Sequence, residues 1–264
     1  MKRTFAVVLS LLFVMQLFSQ SEEVKNTSKR LSLLYGQTYS LKIDKTYSRL
    51  AKQGLSHHFN LGYVRITESQ IMDIQTHWRS GKLNSNGNKI NLINDLASIL
   101  RFRYLRKTDR FSKEKLSVYA GGNIHFRANI WFPPPHTLRY GWDMNLGLGL
   151  STTIIYQIKP RWQLQYDMDL SLLGILWRSH NNGQQLVTEE VQLENGTMAS
   201  AFEVPRFGHL FNAFYFDHLL VLDYNFSKRL DFQYHLALSY LHLLAPLVKK
   251  GYQISNQIGL TYKF

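Results

Sequence analysis

Asp167 and Asp169, two residues apart, and the adjacent Asp217-His218 are the side chains of this sequence best typed for acid–base work. Carboxylates and imidazoles are side chains that can act as general acids and bases. His180-Asn181-Asn182-Gly183 adds an imidazole in a turn-like setting, and His57-His58 sets two side by side. Cysteine is absent, which removes disulfides, thiolate nucleophiles, Cys-based zinc sites and a lipid-anchored N-terminal Cys. Any chemistry rests on carboxylates, imidazoles and hydroxyls. Whether those converge depends on the elements that carry them.

The elements read as strands with a period of two. Tyr252, Ile254, Asn256, Ile258, Leu260, Tyr262 and Phe264 alternate with Gln253, Ser255, Gln257, Gly259, Thr261 and Lys263. Leu230, Phe232, Tyr234, Leu236, Leu238 and Tyr240 alternate with Asp231, Gln233, His235 and Ser239. Trp162, Leu164, Tyr166, Met168, Leu170 and Leu172 alternate with Gln163, Gln165, Asp167, Asp169 and Ser171. The same test separates Trp142, Met144, Leu146, Leu148 and Leu150 from Asp143 and Asn145, and Ile124 and Phe126 from Asn123, His125 and Arg127. On these runs the even positions, Asn256 apart, are greasy and the odd ones mostly polar. The runs exceed the usual strand of about 5–6 residues. They match the roughly 9–11 residues that a tilted strand needs to cross a bilayer.

Alternation also suits a soluble sandwich, whose greasy face is a core. Strand length, ionisable residues in mid-strand and aromatics at both strand ends favour lipid instead. One expected belt holds Tyr156, Trp162, Tyr224, Phe226, Phe232, Tyr262 and Phe264. The other holds Trp131, Phe132, Tyr140, Trp142, Trp177, Phe214, Tyr240 and Tyr252. Two belts separated by aliphatic residues are what the two interfaces of a bilayer select. Ile158-Lys159-Pro160-Arg161 and Phe226-Ser227-Lys228-Arg229 read as tight periplasmic turns. Pro133-Pro134-Pro135-His136, Ser179 to Gly208 and Ala245 to Gly251 read as outer loops.

Strands are expected near 252–264, 230–242, 213–226, 161–177, 141–157, 116–132 and 97–107, the last with Leu100, Phe102 and Tyr104 outward. Upstream the period fades. Met72-Ile74-Thr76-Trp78 and Phe59-Leu61-Tyr63 supply two more, linked near Thr67-Glu68-Ser69-Gln70, and Leu31 to Ile43 a tenth. The expected fold is all-β: a transmembrane antiparallel up-and-down barrel of about ten strands, with eight or twelve left open. The lumen would hold Arg101, Arg103, His125, Arg127, Asp167, Asp169, Asp217, Asp223, Asp231 and His235.

The N-terminus reads as an address. Lys2 and Arg3 precede an apolar run from Phe5 to Phe18, followed by Ser19-Gln20-Ser21. A short cationic segment, a short apolar run and small or polar residues make a secretory leader, here 1–20. The run is shorter than the roughly 20 residues of a membrane-spanning helix. Residues 21–264 are then one barrel domain, with 21–56 open between first strands and a periplasmic extension.

The end of the chain, Gly259-Leu260-Thr261-Tyr262-Lys263-Phe264, resembles the C-terminal signature of outer-membrane β-barrel proteins of Gram-negative bacteria: a terminal Phe preceded by alternate aromatic or aliphatic residues. The resemblance implies an assembly signal in Tyr252, Leu260, Tyr262 and Phe264, read by the barrel-assembly machinery, and residence in the outer membrane. Asp167-x-Asp169 with Asp217-His218 is similar in content to the site of ten-stranded outer-membrane proteases. The expected placement departs from that pattern: Asp167 and Asp169 near the periplasmic end, Asp217 towards the outer end, His218 on the lipid-facing parity. His180-Asn181-Asn182-Gly183 resembles the His-Ser-Asn-Gly run of outer-membrane phospholipases, but Asn181 stands where the serine nucleophile belongs. His57 and His58, adjacent on a strand, face opposite sides and make no metal pair.

The net charge of +13 includes Lys2 and Arg3 of the leader. No basic helix or recognition motif accompanies it, so anionic lipid is the expected partner and nucleic acid is not. Arg106, Lys107, Arg110, Lys113, Lys115, Lys159, Arg161, Lys228 and Arg229 are expected on the periplasmic side. Arg79, Lys82, Lys89, Arg139, Arg178, Arg206, Lys249 and Lys250 are expected outside, where they would grip lipopolysaccharide phosphates or form a solvated rim. No cofactor or metal is expected. A salt-bridged, filled lumen favours a non-enzymatic barrel that binds, scaffolds or joins an envelope complex through its outer loops. A small pore is the alternative, and a hydrolase of lipid or peptide the third reading.

Overall fold

The computed structural model describes residues 27–44, 48–85, 88–132, 141–178, 206–209, 213–244 and 249–264. In chain order the strands are β1 (Ser28–Asp44), β2 (Ser48–Ile66), β3 (Gln70–Ser85), β4 (Asn88–Lys107), β5 (Leu116–Phe132), β6 (Gly141–Lys159), β7 (Trp162–Arg178), β8 (Arg206–His209), β9 (Ala213–Asn225), β10 (Leu230–Leu243) and β11 (Lys249–Lys263). Aromatic and β-branched residues at alternate positions suit a pleated wall that is packed on one side only.

Every pairing among the named strands is antiparallel, and sequence neighbours are spatial neighbours. The ring closes where β1 meets β11, from Arg30 opposite Lys263 to Asp44 opposite Lys249. Ten long strands therefore form one up-and-down barrel among the described residues. The short β8 adds to the outer part of β7, at Leu173–Leu176, above the stretch that β9 covers. Residues 28–44 and 48–66, which include most of the stretch left open at 21–56, build β1 and β2.

One end of the barrel carries tight connections. The Thr67 hydroxyl accepts from the Gln70 N–H at 3.0 Å, and the Ser227 hydroxyl from the Leu230 N–H at 3.0 Å. A short 3-10 turn, Asp109–Phe111, joins β4 to β5 at this end. Phe264 lies here too, its N–H donating to the Lys29 carbonyl at 3.1 Å. The expected loop at 133–136 and most of those at 179–208 and 245–251 lie outside the described residues, as do the leader and His180-Asn181-Asn182-Gly183; Arg206 to Gly208 and Lys249 to Gly251, expected in loops, belong to β8 and β11.

The even-out rule holds over most of β3 to β11 but fails on β1 and β2, on the outer part of β7, and on β8, where Phe207 is exposed. In β1 and β2 the outward residues are odd: Leu31, Leu33, Tyr35, Leu55, Phe59 and Leu61 are exposed. In β7 the rule stops at Leu172, because Ser171 pairs with Gly149 and Leu173 with Leu148, leaving Leu172 as a bulge. Beyond it Leu173 and Ile175 face out and Leu176 is buried. A bulge adds one residue and reverses the parity of the rest of its strand.

Two apolar clusters line the interior, each on neighbouring strands. Leu176, Ala213, Tyr215 and Leu243, with Leu241 against them, sit towards the outer end. Ile71, Leu105 and Tyr119, with Val64, Ile66 and Ile155, sit at the turn end.

Candidate functional site: the ion-paired lumen

Between the two clusters the inward faces of the strands bring charged side chains together. Arg103 on β4 is 1% exposed. Its Nε donates to Asp73 of β3 at 2.7 Å, and a terminal nitrogen donates to Asp167 of β7 at 3.1 Å. Arg101 donates to Asp169 and, at 2.7 Å, to the Gln75 side-chain oxygen. Thr153 donates to Asp167 at 2.6 Å and Ser151 to Asp169. These bonds run from the β3–β4 side of the wall to the β6–β7 side, so they strap the lumen across its width.

A second strap joins Arg127 of β5 to Asp217 of β9, with the guanidinium 4.8 Å from the Tyr215 ring centroid. His125 is held by Asn123 and Asn145, each at 3.1 Å. Asp231 pairs with Lys263 at 2.7 Å, and Asp223 faces Gln233 and Gln163 across its two neighbouring strands. His235 lines a mid-barrel cavity of about 80 Å³ together with His58, His77, Arg101, Arg127 and Asp217. That volume takes a few water molecules. It does not take a lipid or a peptide.

Nearer the outer end, Lys42 and Arg79 both hold Asp95, at 2.7 and 3.1 Å, and Lys249 holds Asp143. Trp131 lies in the same layer, with Lys249 Nζ 3.9 Å and Lys42 Nζ 5.8 Å from its ring centroid.

All ten residues expected in the lumen point inward, and four of them, Arg101, Arg103, Asp167 and Asp169, share one network. Three other expectations are corrected. Trp131, expected in the outer aromatic belt, is turned into the barrel by its odd position on β5 and lies beneath two ammonium groups. Arg79 and Lys249, expected on the outer rim, are buried partners of Asp95 and Asp143. Asp217, expected near the outer end and away from Asp169, is its direct register partner. Strand β9 is short, so a residue close to its start already stands at mid-barrel.

That proximity does not make a carboxylate pair for catalysis. Asp169 is engaged by Arg101 and Ser151, and Asp217 by Arg127. His218 is on the outer face, bonded to the Tyr166 hydroxyl. Among the described residues no group of three His, Cys, Asp or Glu is arranged to hold a metal. His57 and His58 part as expected: His57 is exposed and 2.6 Å from the Tyr35 hydroxyl, whereas His58 meets His77 at 3.3 Å inside.

Asp73, Gln75, Asp95 and Asn145 carry no motif that singles them out, but their odd parity could have found them, whereas even-numbered Lys42 lies on β1, where the rule is reversed. Asp73 and Gln75 alternate with Met72, Ile74 and Thr76 on a run that reads as a strand.

Among the described residues 28 buried ones are polar or charged and 12 are apolar, while Leu, Ile, Phe, Tyr and Trp crowd the exposed face. Water-soluble proteins put most of their charged groups outside and their large apolar groups inside. Here the order is reversed on a closed, even-stranded, antiparallel ring with tight turns at one end. The chain is a transmembrane β-barrel.

No protein-family model and no curated protein matches the sequence. Solved structures with a similar fold include the outer membrane protease OmpT from Escherichia coli, 9% identical, covering 91% of this chain and 97% of that one, TM-score 0.43. The translocator domain of the autotransporter NalP from Neisseria meningitidis is 10% identical over 100% of this chain and 98% of that one, TM-score 0.43. Ail, the attachment invasion locus protein of Yersinia pestis, is 10% identical over 89% and 98%, TM-score 0.29. No residue role is carried over from any of them.

The aromatic belt at the turn end is in place: Tyr156, Trp162, Phe226, Phe232, Tyr262 and Phe264 are exposed, and Tyr224 packs on Trp162 at 4.7 Å. Of the expected assembly signal, Tyr252, Leu260, Tyr262 and Phe264 all face outward at the C-terminal end of the chain.

Proposed function

We propose that this protein is a closed, non-enzymatic barrel of the bacterial outer membrane, exported by a cleaved leader, that binds or scaffolds an envelope partner through its outer loops. The observation that supports this most is the filled lumen. Three layers stand in series along it: an apolar cluster at each end, and between them guanidinium–carboxylate straps that reach across the bore. Ions would have to break buried pairs to pass, and breaking one such pair costs about 3–5 kcal/mol. The acidic residues that could do chemistry are already held by arginines.

Membrane lipid and lipopolysaccharide surround the barrel in this reading, and the barrel-assembly machinery takes up its last strand. Conductance of the folded protein in planar bilayers tests the central claim. The expected trace is flat. Steady single-channel steps would replace this reading with a small pore. Release of fatty acid from lipopolysaccharide or phospholipid, or cleavage of an unstructured peptide, would replace it with a hydrolase.

A further inference from the structure

The outer wall is not uniformly greasy. On β5 and β6 the outward register partners are Ile124 with Leu148 and Phe126 with Leu146, all exposed and apolar. Elsewhere on the wall, across β11, β1, β2 and β3, four polar residues stand in one row. Asn256 on β11 faces Gln37 on β1, Gln37 faces His57 on β2, and His57 faces Ser80 on β3. All four are exposed on the lipid side. The row ends at Leu236 on one flank and Leu96 on the other. At about 4.8 Å per strand it is roughly 15 Å wide.

The row lies within the apolar band. Gln37 and His57 are midway along β1 and β2. Leu55 and Phe59 bracket His57 on its own strand, and Ile254 and Ile258 bracket Asn256; all four are exposed. A polar side chain facing hydrocarbon is costly unless it is hydrogen-bonded. Some of that demand is met locally: the Tyr35 hydroxyl meets His57 at 2.6 Å, and the Tyr234 hydroxyl donates to Asn256 at 2.8 Å. Gln37 and Ser80 have no side-chain hydrogen bond among the described residues, and the Asn256 amide nitrogen keeps its donors.

We infer that this wall is the contact face for a second copy of the chain. Asn, Gln, His and Ser each carry both a donor and an acceptor, and no residue of the row is a carboxylate, Lys or Arg. Such a row complements its own image across a two-fold axis, which is the symmetry of most dimers. A lipopolysaccharide phosphate is a poorer match, because it needs cations at headgroup level and the row has apolar residues on both sides. Strands tilt by about 35–45° in a barrel, so the two rows cross rather than overlie. The axis therefore passes beside Gln37 and His57, at the row's centre.

The chain has no cysteine, so a single introduced thiol reports alone. Gln37→Cys and Leu148→Cys, made in the full protein, are oxidised in native membranes and run on non-reducing gels. Gln37→Cys is expected to give a disulfide-linked dimer, and Leu148→Cys, on the apolar wall, to stay monomeric. Light scattering of the unmodified protein in mild detergent is expected to give twice the mass of one chain. Replacing Gln37 and His57 together by Leu should weaken dimerisation roughly tenfold or more. A monomer by scattering with no crosslink from Gln37→Cys overturns the inference. So does a photoreactive group at Gln37 that captures lipopolysaccharide or a different protein. The outcome is independent of conductance, so failure here leaves the closed-lumen reading standing.

Discussion

Arg103 is the residue on which most of the lumen network turns. It is fully buried and bonded to two carboxylates on opposite sides of the bore, Asp73 and Asp167. Arg103→Met removes the cation and keeps an apolar side chain, leaving two buried charges without their strongest partner. The expected loss is about 3–5 kcal/mol, read as a lower denaturant midpoint for unfolding of the barrel in detergent. Adding Asp73→Asn and Asp167→Asn to the same variant should restore much of the stability, since removing a whole ion-pair set is far gentler than breaking it. If the triple variant is no better than the single one, burial of charge is not what Arg103 relieves. A glycine comparison tests packing in the same layer. A Cβ on inward-facing Gly147 would stand 2.5 Å from His125 Nε2, whereas one on Gly122 meets nothing nearer than 3.4 Å. Gly147→Ala should therefore dislodge His125 from Asn123 and Asn145 and cost about 1–3 kcal/mol. Gly122→Ala should change the midpoint little, and equal effects at the two sites would sink the steric account.

At the scale of elements, β7 shows how one residue re-aims a strand. Leu172 opposes nothing on β6, and the ladder resumes directly from Ser171 to Leu173. Deleting Leu172 therefore leaves every described pair in place and returns the strand to simple alternation, with Ser171 in and Leu173 out. The deletion should be tolerated, with folded and unfolded forms still resolved on unheated gels. A variant that no longer folds would show that the bulge supplies curvature the wall needs. The same element explains part of what the sequence conceals. Period two is plain wherever the outward face is apolar, as on β6, β10 and β11, and it yields the strand positions there. It fades on β1 to β3 because both faces are polar around Gln37, His57, Ser80 and Lys82, so alternation of side-chain type is lost although alternation of direction is not. The inward residues are legible through parity, as the placing of Arg101, Asp169 and His235 shows. Trp131 misleads because an aromatic beside Phe132 at a strand end suits an interface by type, and only its odd number says otherwise. Which cation meets which carboxylate across the bore is not legible at all. Partners such as Lys249 and Asp143 are brought together by ring closure, over a separation that no local pattern encodes.

The whole barrel makes its strongest claim through barriers placed in series. Leu243 closes the outer cluster and Leu105 the cluster at the turn end, each 0% exposed. Between them stand the straps of Arg101, Arg103 and Arg127. Resistances in series add, so opening one seal leaves the others to block the path. Leu105→Gly and Leu243→Gly, each made alone, are thus expected to stay silent in planar bilayers, although each cavity should lower stability by about 2–5 kcal/mol. The double variant is expected to stay silent too, because the mid-barrel ion pairs lie between the two lesions and are untouched by them. Current should appear only when a strap is also removed, for instance by adding Arg127→Ser together with Asp217→Ser, which takes out both members of a pair and strands neither charge. The measurement is single-channel conductance for the series of variants, with folding of each checked on unheated gels. Steps from either single variant would mean that a lone apolar cluster is the gate and that the ion-paired layer is permeable. Silence throughout, with the strap pair removed and the barrel folded, would mean that the pairs left in place, those of Arg101 and Arg103 and those of Lys42, Arg79 and Lys249, block the bore by themselves.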